Sequence, residues 1–311
     1  MSRYPFIAYA TRYLETRKGI YSPATWETAR RRYSRQNKDF IKLFQEGKLS
    51  TLSPKVMTAE DVRIYLTYRR QFNYTHKEYS HDHAALKSLF AFLQNNAYET
   101  CIIKNPILKP RGRSARLPPM TDEVYEAILK RSQCVDVGDW ERIRAYTLVL
   151  LALRSGARTK ELQLAQLKDL DLDTWMMDLV HVKGELTYGQ PRSVPIHPEI
   201  RNSILAYIEL RKNQLQKKNR ASIALFPSFT SPDGFLSTNS LRRIKQLVEN
   251  ECGVKFDFRA TRRTYGQQLI DKGVNIEAVS VSMGHATTRT TELAYCRKRS
   301  EIANKEIQER W

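Results

Sequence analysis

Residues 104–120, KNPILKPRGRSARLPPM, hold four prolines, one glycine and five basic side chains. Proline lacks a backbone N–H and clashes with the preceding helical turn, so no continuous helix passes through this stretch. Its charge favours solvent or phosphate over a packed interior. The segment reads as a linker that forces two separate cores on the chain. The expected division is a first domain over 1–105, a basic proline-rich linker over 106–119 and a second domain over 120–311. A chain of 311 residues is long enough for each part to bury a core of its own.

The two parts have different textures. In the first, apolar residues recur at helical spacing in YPFIAYATRYL, DFIKLFQEG and HAALKSLFAFLQNN, and no strand-like alternation stands out. Thr58 before AEDVRIYLTYRRQF, with Asp61 three residues on, reads as a helix N-cap. In the second, TDEVYEAILKR reads as a capped helix, ERIRAYTLVLLALRSG as a buried helix ending near Gly156, and ARTKELQLAQL as another helix. MMDLVHVKGEL and RSVPIHP read as two short strands, with Gly184 and Gly189 marking a hairpin turn. Helical patterns resume at PEIRNSILAYIELRKNQLQ, TNSLRRIKQLVEN, RATRRTYGQQLIDKG, NIEAVSVSMGH (capped by Asn275) and SEIANKEIQER. The fold class expected is mainly α with a small β-sheet or hairpin.

Charge narrows the partner. Lys and Arg number 52 against 33 Asp and Glu, for a net charge of +19 and a pI near 9.8. Such an excess argues for a polyanion: nucleic acid first, an anionic membrane surface second. No apolar run approaches the ~20 residues of a spanning helix. The N-terminus lacks the apolar core and cleavage site of a secretory signal. Cys101, Cys134, Cys252 and Cys296 are scattered, without a CxxC pair or nearby histidines, and read as reduced thiols rather than a zinc site or disulfide frame. A cytoplasmic, nucleoid-associated protein is expected, or one in the host cytosol if the source is viral.

Within the second part, several residues share a chemical theme. Ser155-Gly156-Ala157-Arg158 ends one helix and begins another, and Glu161 lies one turn beyond Arg158. Lys183 sits beside the hairpin turn. Arg259 and Arg262 stand three apart on one helix. His285 and Tyr295 complete the set. Singly, each has an ordinary reading as a surface charge, a turn lysine, a core histidine or a packed tyrosine. Together they fit phosphoryl transfer. A phosphodiester under attack spreads charge over its equatorial oxygens, which arginine forks neutralise bidentately. A tyrosine hydroxyl can serve as covalent nucleophile, and a lysine or histidine can protonate the leaving oxygen.

On these residues the sequence resembles the tyrosine recombinase (phage-type integrase) family. The resemblance rests on SGARTKEL at 155–162, VKG at 182–184, RATRRTYG at 259–266 and GVNIEAVSVSMGHATTRTTELAY at 273–295, in the family's order and spacing. It covers about 190 residues from Met120 onward and implies an α+β catalytic domain, while the helical first third is similar in layout to the family's core-binding domain. The resemblance implies that Arg158 and Arg262 clamp the scissile phosphate and that Lys183 protonates the leaving 5′ oxygen. It implies that His285 hydrogen-bonds the phosphate and assists proton transfer. Tyr295 would attack, leaving a 3′-phosphotyrosyl link and a free 5′ hydroxyl, after which the strand is joined to a partner duplex. Glu161 would orient the site. Neither ATP nor metal nor other cofactor is implied, and the sequence has no carboxylate cluster suited to two-metal catalysis.

One position departs from the pattern. The family usually carries His-x-x-Arg where this sequence has Arg259-x-x-Arg262. A guanidinium cannot act as general base near neutrality. Some archaeal viral members carry a basic non-histidine residue there. The departure leaves open which group deprotonates Tyr295, whose unperturbed pKa is about 10 and which nearby arginines would lower. A register with Arg263 in the phosphate role fits the spacing less well.

In the family the two domains clamp duplex DNA. RRRYSRQNK at 30–38 and YRRQFNYTHK at 68–77 interleave cations with aromatics. Candidate backbone contacts are Arg30, Arg31, Arg32, Arg35, Arg69, Arg70 and Lys77, with Lys109, Arg111, Arg113 and Arg116 crossing from the linker; solvated helix faces are the ordinary alternative. The tail, with Ile302 and Ile307, resembles the C-terminal helix that family members dock on a neighbouring protomer, and a frayed basic tail is the alternative. The leading reading is a site-specific DNA recombinase, an integrase of a mobile element, assembling as a tetramer on two synapsed duplex sites. The alternatives are an Xer-like resolvase of chromosome or plasmid dimers, and a catalytically silent DNA-binding protein.

Overall fold

The computed structural model describes residues 5–72, 76–110, 118–182, 190–285, 287–292, 304 and 307–308, with no account of the His76 side chain. Lys183, Tyr295, Arg111, Arg113, Arg116, Cys296, Ile302 and the expected hairpin turn lie outside the described residues. The chain divides into two compact units, Met1–Ala115 and Arg116–Trp311.

The first unit is helical: α1 (Pro5–Glu15), α2 (Pro23–Gln45), α3 (Ala59–Arg70), α4 (His76–Phe92) and α5 (Ala97–Lys104). Local chemistry sets the boundaries. The Ser22 hydroxyl accepts from the Thr25 amide while Pro23 occupies the first turn, where its missing N–H costs nothing. Thr58 and Asp61 form a reciprocal capping box at the start of α3. The core is aromatic, with Phe40 stacked on Tyr65 at 4.2 Å between centroids and Phe6 against Phe40 at 4.5 Å. Pro106–Leu108, read from sequence as linker, is a 3-10 turn of this unit. Leu108 is buried, and Tyr79 Oη donates to its carbonyl at 2.8 Å. A proline at the first position of a turn is no barrier, and Leu108 has an apolar side chain to bury.

Arg69 corrects an expectation. Its side chain is 1% exposed, so it cannot contact a phosphate. Nη2 donates to Asp82 Oδ2 at 2.7 Å and Nη1 to Asp39 Oδ2 at 3.1 Å. The cause is periodicity: Val62, Tyr65, Leu66 and Arg69 share the buried stripe of α3. Arg35 also pairs with Asp82, and Arg32 approaches it at 3.7 Å. Arg30 and Arg31 hold Glu27, each at 2.8 Å, on the exposed side of α2. Arg70, Lys77 and Lys109 are exposed.

The second unit is built around α7 (Trp140–Ser155), whose residues from Tyr146 to Leu153 are all buried. It packs against α9 (Arg201–Lys217), α10 (Thr238–Cys252) and α11 (Phe258–Asp271). Further helices are α6 (Asp122–Ser132), α8 (Thr159–Leu164) and α12 (Ile276–Ser282, capped by Asn275). Three short strands, β1 (Leu170–Asp171), β2 (Met176–Leu179) and β3 (Arg192–Pro195), form an antiparallel sheet in that order. Met177 pairs with Val194, both buried, and Leu179 with Arg192. Among the described residues the fold is mainly α with one small sheet, and no helix is long and apolar enough to cross a membrane.

Candidate active site

The C-terminal end of α7 begins the site. Gly156 adopts φ 62°, the left-handed conformation that turns a chain out of a helix at little cost to glycine. A Cβ there would lie 2.4 Å from Cδ1 of Tyr265, so the backbone and the α11 aromatic are in close apposition. The turn delivers Arg158 to the cap position of α8, with Glu161 one turn on. The Glu161 carboxylate accepts from the Arg158 amide at 2.7 Å and from its Nη1 at 2.8 Å.

Arg262 approaches from α11. Its Nη1 donates to the Gly156 carbonyl at 2.5 Å and its Nη2 to the Met283 carbonyl. Arg158 Nη2 donates to the Gly284 carbonyl at 3.0 Å. The two guanidiniums therefore converge on adjacent carbonyls of one turn, the one that ends α12 and precedes His285. That turn is held in place by the Tyr265 hydroxyl, hydrogen-bonded to Ser282 Oγ at 2.9 Å. His285 follows, its amide on the Ser280 carbonyl at 3.0 Å and its Nδ1 hydrogen-bonded to the buried Thr291 Oγ1 at 2.7 Å. The register with Arg262, rather than Arg263, carries these contacts to Gly156 and Met283.

Arg259 stands apart from them. Its side chain is 69% exposed, and its amide, Nε and Nη2 all donate to the carboxylate of Asp257, the N-cap of α11, at 2.7, 3.0 and 2.8 Å. The pair lowers the Asp257 pKa and raises that of Arg259. A spacing of three puts Arg259 and Arg262 on neighbouring ridges of one helix, but the cap captures the first and the α12 turn the second.

Arg192 belongs to the site and has no counterpart in the sequence reading. From β3 its Nη1 and Nη2 donate to Glu161 Oε1 and Oε2 at 3.2 and 2.8 Å, and its Nε to the Ser282 carbonyl at 2.7 Å. Alternation was the available signal, since Arg192 shares the inward face of its strand with buried Val194. Burial alone would raise the Glu161 pKa; hydrogen bonds from Arg192 and from the Arg158 backbone and side chain outweigh it and hold the pKa below the usual carboxylate value.

The model of the phage integrase family matches residues 118–301. The chain is 27% identical over 241 residues to the tyrosine recombinase XerC of Bacillus pumilus, covering 75% of each protein. It is 25% identical over 238 residues to the tyrosine recombinase XerA of Pyrococcus furiosus, covering 76% of this chain and 75% of that protein. In fold it is similar to the XerH site-specific recombinase crystallised with its difH substrate before cleavage, with a TM-score of 0.69 at 15% identity over 98% of this chain and 97% of that one. A family match across more than half the chain, on the stretch where Arg158, Glu161, Arg192, Arg262 and His285 come together, decides the matter: this protein belongs to the phage integrase family.

Proposed function

We propose that this protein is a site-specific DNA recombinase that breaks and rejoins duplex DNA through a covalent tyrosine intermediate. The observation that carries the reading is the convergence of Arg158 and Arg262 on the carbonyls of Gly284 and Met283, next to His285. Two guanidiniums fixed on one turn present fork donors to a tetrahedral anion, and a phosphodiester is the anion that suits a chain of net charge +19. In this reading the Tyr295 hydroxyl gives up its proton to solvent as its oxygen bonds to phosphorus, while the bond to the 5′ oxygen breaks and that oxygen takes a proton from Lys183. Arg158, Arg262 and His285 stabilise the charge that builds up between those events. Attack by the 5′ hydroxyl of a partner strand on the phosphotyrosine reverses the chemistry and joins the strands. Arg259 contributes charge at the rim of the site, not proton abstraction.

Duplex DNA carrying recombination sites is the substrate, two such sites are synapsed by a tetramer, and the reaction takes place where the host keeps its DNA, in the cytoplasm. Integration of a mobile element is the leading biological role. The likeness to XerC and XerA over three quarters of the chain supports the alternative role of dimer resolution, which uses the same chemistry on different sites.

The test is covalent trapping. Protein and a labelled duplex carrying its site, nicked so that cleavage cannot reverse, are incubated in EDTA and run on a denaturing gel. The expected result is a shifted protein–DNA band that Tyr295→Phe abolishes without loss of DNA affinity. No band on DNA that the protein specifically binds would favour the catalytically silent DNA-binding reading.

A further inference from the structure

Arg192 is placed where three separate parts of the second unit meet. It opens β3, directly after the segment that carries Lys183. It spans both oxygens of Glu161 on α8, and it reaches the Ser282 carbonyl at the end of α12. Gly284, at φ 57°, lies so close that a Cβ would fall 2.9 Å from Arg192 Nη1 and 3.1 Å from its Cζ. The side chain is 7% exposed, and that of Glu161 is 1% exposed. A packing role would account for burial. It does not account for two arginines on one carboxylate.

The charge balance does. Glu161 carries one negative charge and pairs with two positive ones, Arg158 and Arg192. The trio is net positive, and Arg192 is more buried than Arg158, whose side chain is 30% exposed. Arg192 therefore takes up the carboxylate from within, leaving Arg158 with charge to spare on its accessible side. Were Arg192 neutral, Glu161 and Arg158, already joined at 2.8 Å, would be left as a neutral pair in a poorly solvated place, where such pairing is strong. Glu161 would then turn from a support for Arg158 into a competitor with the phosphate.

We propose that Arg192 is a positioning residue for strand cleavage: it shares Glu161 with Arg158, holds the Ser282–Gly284 turn, and so keeps the exposed side of Arg158 charged and available to the scissile phosphate. This rests on the reading of Arg158 as a phosphate ligand. Arg192 itself touches no substrate and acts through Glu161 and the turn.

The experiment compares single-turnover cleavage of the nicked duplex by wild type, Arg192→Gln, Arg192→Lys and the double variant Glu161→Gln/Arg192→Gln. It is run at a temperature where circular dichroism shows each protein folded, with DNA affinity measured alongside. Arg192→Gln is expected to cleave about 100-fold more slowly, as a misplaced or neutralised phosphate ligand would cause, with affinity changed less than about threefold. The double variant removes the competing carboxylate and is expected to regain about tenfold or more over Arg192→Gln. Arg192→Lys keeps the charge and is expected to stay within about tenfold of wild type. A double variant no faster than Arg192→Gln, or an Arg192→Gln that cleaves at the wild-type rate, would overturn the proposal. Should Arg192→Gln not fold, Arg192→Lys decides, and a loss of about 100-fold in that variant would count against a charge role. Absence of any wild-type adduct would sink the recombinase reading and this proposal with it, whereas an active wild type with no rescue in the double variant sinks the proposal alone.

Discussion

Glu161 and Arg192 face each other through two parallel hydrogen bonds, 3.2 and 2.8 Å long, although 31 residues separate them in the chain. With Arg158 on the same carboxylate, the pair joins α8 to β3 beside the turn that precedes His285.

Glu161→Gln is expected to destabilise the second unit by about 3 kcal/mol at pH 7, the usual scale for breaking a buried, hydrogen-bonded ion pair on one side. The cost depends on pH. The Glu161 pKa is lowered in the folded protein relative to its ordinary value of 4.5, so its stabilisation is fully present above that value and lost as pH falls through the folded one. Calorimetry should find the gap between wild type and variant widest near neutrality and closing as pH falls below 4.5. A gap that stays constant into acid would mean that shape, not ionisation, makes the difference.

Gly156→Ala is expected to cost about 3 kcal/mol, combining a left-handed backbone for a residue with a Cβ and a clash with the Tyr265 ring. Denaturant melts of Gly156→Ala alone and with Tyr265→Leu separate the two terms. The second change should recover part of the loss and leave the backbone part, and strict additivity of the two costs would show that the ring is not the obstacle.

Arg69→Met and Arg70→Met should behave differently despite being neighbours. Arg69 is buried on Asp82 and Asp39, so its loss lowers stability by about 3 kcal/mol and leaves DNA affinity unchanged in the folded protein. Arg70 is exposed, so its loss leaves stability within about 0.5 kcal/mol. If it contacts a phosphate, the slope of log affinity against log salt should fall by about 1. Titrations at several salt concentrations read both effects, and a salt slope altered by Arg69→Met would contradict the buried assignment.

Arg259→His is expected to retain strand cleavage, because Arg259 in this fold holds Asp257 and takes no part in the Arg158–Arg262 convergence, and to raise it if position 259 is the family's histidine position. Its exposed ion pair contributes about 0.5 kcal/mol or less to stability. A cleavage defect as deep as that of Arg262→Ala would assign Arg259 an indispensable role of its own.

Most helices were legible because their signals are local. Thr58 and Asp61 announce α3 within four residues, and the left-handed Gly156 ends α7 where the apolar run stops. The two-residue β1 was not legible, since two residues carry no alternation. Arg69 could have been read correctly: it falls on the stripe of Val62, Tyr65 and Leu66, while Asp82 lies at helical spacing from buried Leu86 and Leu89. Two buried stripes carrying opposite charges, Arg69 on one and Asp82 on the other, are the trace of a buried pair, but counting cations in YRRQF hides it. Arg158, Glu161, Arg262 and His285 came from spacing that resembles a family pattern, and the fold brings Arg158 and Arg262 to the turn before His285. Alternation places Arg192 on the inward face with Val194, but its partners are 31 and 90 residues away, and no local rule links a strand residue to a helix-ending carbonyl.

The anchors of Arg158, Arg192 and Arg262 on the α12 turn are all main-chain oxygens, those of Ser282, Met283 and Gly284. A carbonyl is present whatever residue supplies it, so the side chains at 282 and 283 do other work: Ser282 Oγ meets the Tyr265 hydroxyl, and Met283 is buried. What must be inherited is the path of the backbone, with a glycine at 284 where it passes Arg192. A site tethered in this way rests its charges on the main chain, and the side chains of the turn, Ser282 on Tyr265 and Met283 in the core, serve to hold that path rather than the arginines themselves.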